Sequence, residues 1–229
     1  MDTERIEEAA RKVLVEIWER RSALTGRVDP QPIDLLEPKY AAQVLGIEFI
    51  QVETLSTFTG AGFEATGFLD REGNRIAVAD RFGHEVARFT GGHEIGHWVL
   101  HPDAVMLRER PIKGLAPADH RRSLREQEAD SFAGYFLMPR KVVEEQFRMR
   151  FGSRVPFRFD YHAAHELGKG DVDSLLRPRR GQKSRAFTLA TTRFFQGRHF
   201  ASLAEAFRVS ALSMSIQLEE LGLIDSETY

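Results

Sequence analysis

The chain has 229 residues, 42% of them hydrophobic and 29% charged, which suits one well-buried domain or one domain with a small helical appendage. A formal net charge of −2 gives no global attraction to nucleic acid or to a membrane surface, and no stretch approaches the length of a membrane span. Cysteine is absent, which excludes disulfides and thiolate metal sites and leaves any metal to His, Asp and Glu.

Met1-Asp2-Thr3-Glu4-Arg5 is charged with no apolar run behind it, so no signal peptide is expected and a cytoplasmic address is the default. From Glu4 to about Arg21, Ile6, Ala9/Ala10, Val13/Leu14 and Ile17/Trp18 form the apolar stripe of an amphipathic helix. Gly26, Pro30 and Pro32 mark residues 25–32 as a linker. Pro38 to Leu45 reads as a short helix opened by proline and ended by Gly46, and Ile47 to Val52 as a strand. Thr66 to Leu69 and Arg75 to Ala79 flank Asp70-Arg71-Glu72-Gly73-Asn74 and predict a β-hairpin.

A helix is predicted from about His84, because Val86, Phe89, His93, Gly96/His97 and Leu100 recur at three- and four-residue spacing and Pro102 follows the last turn. It contains His93-Glu94-Ile95-Gly96-His97, the His-Glu-x-x-His signature of zinc peptidases. Residues four apart on a helix differ by about 40° around its axis, so two imidazoles project side by side. They supply two of the three protein ligands of a catalytic zinc. Glu94, on the flank of that face, can take a proton from water without occupying the metal.

Residues 102–123, with Pro111, Gly114 and Pro117, read as a long loop. Leu124 to Met138 is the next helix, halted by Pro139, and another runs from there to about Phe151. Residues 152–183 are too broken by Gly and Pro to assign. Residues 185–195 are open between strand and helix, with Phe187, Leu189 and Thr191/Thr192 leaning towards strand. Residues 199–224 are helical in two pieces, with Ser210 as the cap between them.

The third metal ligand is sought in Glu126-Gln127-Glu128-Ala129-Asp130. Glu126 and Asp130 share a helix face, whereas Glu128 points roughly 160–200° away from both. Glu126 as ligand, with Asp130 orienting a histidine through its other ring nitrogen, makes a coherent site. Glu128 is expected on the solvated side. His101 extends the histidine ladder, but eight residues of helix span about 12 Å, too far for one metal. Asp103 would need a glycine turn that the sequence lacks, since Leu100 stands in the glycine position. His84, His120, His162, His165 and His199 are isolated histidines in ordinary settings, with a substrate contact open for His162 and His165. The donor that stabilises an oxyanion is not selected by any spacing; Tyr135, Tyr161, His162, His165 and arginines beyond residue 140 are open.

Taken together, Phe89-Thr90-Gly91-Gly92-His93-Glu94-Ile95-Gly96-His97 and Glu126-x-Glu128-Ala129-Asp130-x-Phe132-Ala133-x-x-x-Leu137-Met138-Pro139 resemble the ImmA/IrrE metallopeptidase family. The likeness covers roughly Ile33 to Phe147, and the segment from Leu203 resembles the family's helix-turn-helix-like part. It departs from the usual pattern at Gly91-Gly92, where bulkier residues are common, and at Asp130, where Asn is usual. The resemblance implies a gluzincin-type zinc endopeptidase in which His93, His97 and Glu126 bind one zinc and Glu94 is the base. It also implies a helix-turn-helix repressor as protein substrate, in a phage, mobile-element or stress-response setting.

The expected fold is therefore α+β: a zincin-like core with a small antiparallel sheet packed on the signature helix, followed by a helix-turn-helix-like tail. Residues 1–151 would form the N-terminal helix and peptidase core, and residues 152–229 the C-terminal region. A DNA-binding regulator is the main competing function. Arg177, Arg179, Arg180, Lys183, Arg185, Arg193 and Arg198 form a basic run without an acid among them. Against it, residues 211–221 offer only Gln217 for reading bases, so a protein contact is favoured over DNA. A purely structural zinc is disfavoured by the missing cysteines and the intact Glu94, while another divalent metal would also suit imidazole and carboxylate ligands.

Overall fold

The computed structural model describes residues 2–55, 65–103, 106–109, 123–167, 172–177 and 185–225. The chain forms two compact units, Met1–Leu137 and Met138–Tyr229. The division falls one helix before the expected boundary at residue 151, because Phe147 and Phe151 pack their rings on Phe157, inside the second unit.

In the first unit, α1 (Thr3–Glu19) starts with the Asp2 side chain accepting from the Arg5 N–H and buries Ile6, Ala10, Val13 and Ile17. This is the expected stripe except at its edge, where Trp18 is 41% exposed and carries the Arg21 guanidinium over its ring. The expected linker is partly ordered: it begins at the end of a short helix, α2 (Arg21–Thr25), and leads into a 3-10 turn (Pro32–Leu35). Next comes α3 (Pro38–Leu45), closed as expected by Gly46 in the left-handed region at φ 72°.

The sheet contains β1 (Glu48–Val52), β2 (Gly67–Asp70), β3 (Arg75–Ala79) and β4 (Met106–Glu109), in the order β1-β3-β2-β4. The predicted hairpin is β2–β3; Asp70 holds its turn by accepting from the Gly73 N–H and from Arg75. Two expectations are corrected. The sheet is mixed, not antiparallel, because β1 pairs parallel to β3 from Glu48↔Arg75 to Val52↔Ala79. Both edges of β2 are taken, by β3 and β4, and β1 joins at the other edge of β3, whose Ile76 to Ala79 are buried as a central strand requires. The second correction is β4, which lies inside the expected loop 102–123 and runs antiparallel to β2 from Asp70↔Met106 to Gly67↔Glu109. Met-Leu-Arg-Glu carries no β-branched residue, so only the open edge of β2 makes it a strand. Residues 104–105 and 110–122 of that loop lie outside the described residues.

The signature helix is α4 (His84–Leu100), and the ligand-bearing helix is α5 (Leu124–Leu137), both close to their expected bounds. α4 lies against α5, α3, β2 and β3. Arg71, at the hairpin turn, closes its C-terminus by donating to the carbonyls of His97, Trp98 and His101.

The second unit begins with α6 (Arg140–Phe151), as predicted. The unassigned region holds α7 (Tyr161–Leu167) and α8 (Val172–Leu176). Residues 185–191, expected to lean towards strand, are instead α9 (Arg185–Thr191), with only Phe194–Phe195 (β5) extended and paired with Arg198–His199 (β6). Ala186, Leu189 and Ala190 are buried at helical spacing, and Thr191 and Thr192 bond back to carbonyls of the preceding turn. The tail forms α10 (Leu203–Phe207), with a Ser202/Glu205 capping box, and α11 (Ala211–Glu220), capped by Ser210 as expected. Among the described residues no helix is long and apolar enough to cross a membrane.

Candidate metal centre

The site is built where α5 crosses α4 at close range. Gly92 and Gly96 face α5: a Cβ at Gly96 would lie 3.1 Å from the Ala129 carbonyl oxygen and 3.1 Å from Phe132 Cβ. At Gly92 it would lie 3.3 Å from Ala133 Cβ, while at Gly91 it would meet Pro38 Cβ at 2.9 Å. The paired glycines therefore admit a neighbouring helix on one side and α3 on the other. Glycine inside a helix costs about 1 kcal/mol relative to alanine, and here close approach of two helices is what offsets it.

That approach brings Glu126 over two buried imidazoles. His93 and His97 sit one turn apart with ring centroids 4.6 Å from each other. Glu126 Oε2 lies 3.3 Å from His93 Nε2, and its Oε1 lies 3.3 Å from His97 Nε2. One ligand atom from each residue falls within 4.8 Å of the others, making this the one such donor group among the described residues. Asp130 Oδ1 is 2.9 Å from His93 Nδ1, so the outer nitrogen is engaged and Nε2 faces the group. The two imidazoles hold the Glu126 carboxyl well below the usual carboxylate range. Burial pushes the His97 imidazole down despite the bond to Glu126. An ionised carboxylate and neutral imidazoles are the forms in which these residues ligate a cation. The donor set fits a zinc-type ion.

Glu94 is fully buried on the sheet side of α4. Its room comes from Gly67 of β2, where a Cβ would sit 2.3 Å from Glu94 Oε1 and 2.6 Å from Thr90 Cγ2. Sequence reasoning did not single out Gly67; its only signal was a glycine at the start of a hairpin strand, a mark of close approach.

Residues 49–155, from β1 to beyond α6, match the family model Peptidase M78, described as the IrrE N-terminal-like domain. This stretch is similar to the IrrE N-terminal-like domain, a peptidase family, and it contains the His93, His97 and Glu126 cluster suited to a metal. Comparison with curated proteins yields no match.

One expectation for the IrrE-like domain is overturned. Glu128 is not on a solvated face: its side chain is 13% exposed, with Oε2 3.0 Å from His101 Nε2 and Oε1 3.4 Å from Arg5 Nη2 of α1. Its helix phase does differ from that of Glu126, but α5 is covered on that flank too, by α1 and the end of α4. His101 stays outside the donor group, as its distance along the helix requires, yet it is buried and meets His97 Nδ1 at 2.9 Å. Asp103 is exposed and paired with Arg125. His84, His162, His165 and His199 are exposed, and His120 lies outside the described residues. Tyr161, His162 and His165 belong to the second unit.

Proposed function

We propose that the chain is a zinc-dependent endopeptidase in which His93, His97 and Glu126 hold the metal, Asp130 orients His93, and Glu94 is the general base. The observation that carries this reading is the meeting of two buried imidazoles and a carboxylate, with a second, buried carboxylate one residue from the first histidine. Bound zinc would supply Lewis acidity towards water and towards the scissile carbonyl. Glu94 takes the proton from the attacking water and returns it to the leaving amine. Burial of Glu94 beneath β2 keeps its carboxylate in a dry setting where proton transfer is not shared with bulk solvent.

For substrate, the ImmA/IrrE likeness supports a helix-turn-helix repressor in a phage, mobile-element or stress-response setting. The tail supports a protein contact more than DNA readout. Gln217, the one amide on α11 suited to bases, is buried and donates to the Met138 carbonyl. Of the basic run, Arg185 caps α8 through the carbonyls of Leu175 and Leu176, Arg193 pairs with Glu205, and Arg198 donates to the Arg150 carbonyl. A DNA-binding regulator therefore has less support.

The test is Glu94→Gln, which should keep fold and zinc while lowering cleavage of a repressor substrate by about 10²- to 10⁴-fold. Mass spectrometry of the fragments checks it; cleavage at the wild-type rate would end the peptidase reading.

A further inference from the structure

Glu128 and Asp130, on α5, address different histidines of α4. Asp130 reaches His93 Nδ1 directly, at 2.9 Å. His97 Nδ1 instead faces His101 Nδ1 at 2.9 Å, and His101 turns its Nε2 to Glu128 Oε2 at 3.0 Å. The His97, His101 and Glu128 side chains are 2%, 6% and 13% exposed, so water has little part in this line. Arg5 holds the far oxygen of Glu128.

We propose that Glu128 and His101 are positioning residues that fix the tautomer of His97, doing through an intervening imidazole what Asp130 does for His93 by itself. This rests on the metallopeptidase reading. An ionised carboxylate only accepts, so His101 carries a proton on Nε2 that points at Glu128. One proton lies between the two facing Nδ1 atoms, and a His97 that ligates through Nε2 carries it, donating to His101 Nδ1. That leaves the His97 Nε2 lone pair facing Glu126 Oε1, where a cation would lie. If His101 were the donor, His97 would carry its proton on Nε2 and could not ligate. Outer partners of ligating histidines typically contribute about 10- to 100-fold in metal affinity.

The experiment measures zinc dissociation constants by chelator competition for wild type, His101→Phe, His101→Gln and Glu128→Gln, with circular dichroism of each metal-free protein as the fold control. His101→Phe keeps the ring volume without an acceptor and should weaken zinc about 10- to 100-fold. His101→Gln, which retains an acceptor oxygen, should recover part of that loss, and Glu128→Gln should fall between. In zinc-loaded wild type, ¹⁵N-edited spectra should show a protected proton on His97 Nδ1 that is lost in His101→Phe. Should His101→Phe fail to fold, Glu128→Gln and the wild-type spectrum decide. Zinc uptake by wild type with equal affinity in the folded variants, or a His97 Nδ1 without a proton, overturns the relay alone. No zinc uptake by wild type overturns the metallopeptidase reading and the relay with it.

Discussion

Gly67 and Glu94 lie on different elements, and the space one leaves is the space the other fills. In Gly67→Ala the new methyl would start 2.3 Å from Glu94 Oε1, on a strand held by pairing to both β3 and β4. Overpacking of this kind costs about 1–3 kcal/mol. The carboxylate can yield more easily than the sheet, so the displaced group is the one proposed as general base. Gly67→Ala should therefore lose most cleavage while lowering urea-unfolding stability by about that amount and leaving zinc content intact. Loss of zinc instead would mean that α4 as a whole had shifted.

At the scale of elements, the α4–α5 crossing sets the distance from Glu126 to the histidines. Alanine in place of a helical glycine gains about 1 kcal/mol of propensity, and a tight contact takes back about 1–3. At Gly96 the added Cβ meets the Ala129 backbone and Phe132 Cβ at 3.1 to 3.2 Å, so Gly96→Ala should be destabilised and bind zinc more weakly. At Gly92 the contacts begin at 3.3 Å and include the flexible end of Leu137, so Gly92→Ala should be near neutral. Thermal unfolding with zinc titration checks the contrast; equal effects would mean that the crossing is not the controlling distance.

The tail offers a test of pH dependence. Arg193 and the Ser202 cap lower the Glu205 carboxyl from its ordinary 4.5 to about 2. The folded state thus binds fewer protons than the unfolded state in this range. The contribution is full above the unfolded value and disappears as pH falls through the folded one. The difference in melting temperature between wild type and Glu205→Gln should be largest near neutrality and vanish by about pH 2. Because the pair is exposed, added salt should shrink it.

For the whole molecule, the question is whether the basic run serves nucleic acid. Arg185, Arg193 and Arg198 have internal partners and Gln217 is buried, so three residues of the basic run and the one amide suited to bases are already engaged within the protein. Fluorescence anisotropy should detect no sequence-dependent binding of duplex DNA at physiological salt. Specific, salt-sensitive binding by metal-free protein would instead favour the regulator.

Much of the site was legible because helical geometry is local. The spacing of His93, Glu94 and His97 needs only an α-helix, and the phase of Glu126 with Asp130 follows from the same 3.6-residue repeat. The hairpin, the proline- and glycine-bounded α3 and the Ser210 cap are likewise consequences of short-range backbone preference. Spacing along the chain therefore fixes which residues share a face. Which faces meet depended on pairing and packing between distant segments. Tertiary structure alone made 106–109 a strand, set β1 parallel to β3, turned 185–191 into a helix and placed Gly67 under Glu94. It also covered the Glu128 flank with α1 and His101, so a carboxylate expected in water became a hydrogen-bond partner of a buried imidazole. Residue spacing fixes direction around one axis; burial is decided by what a second element brings to it.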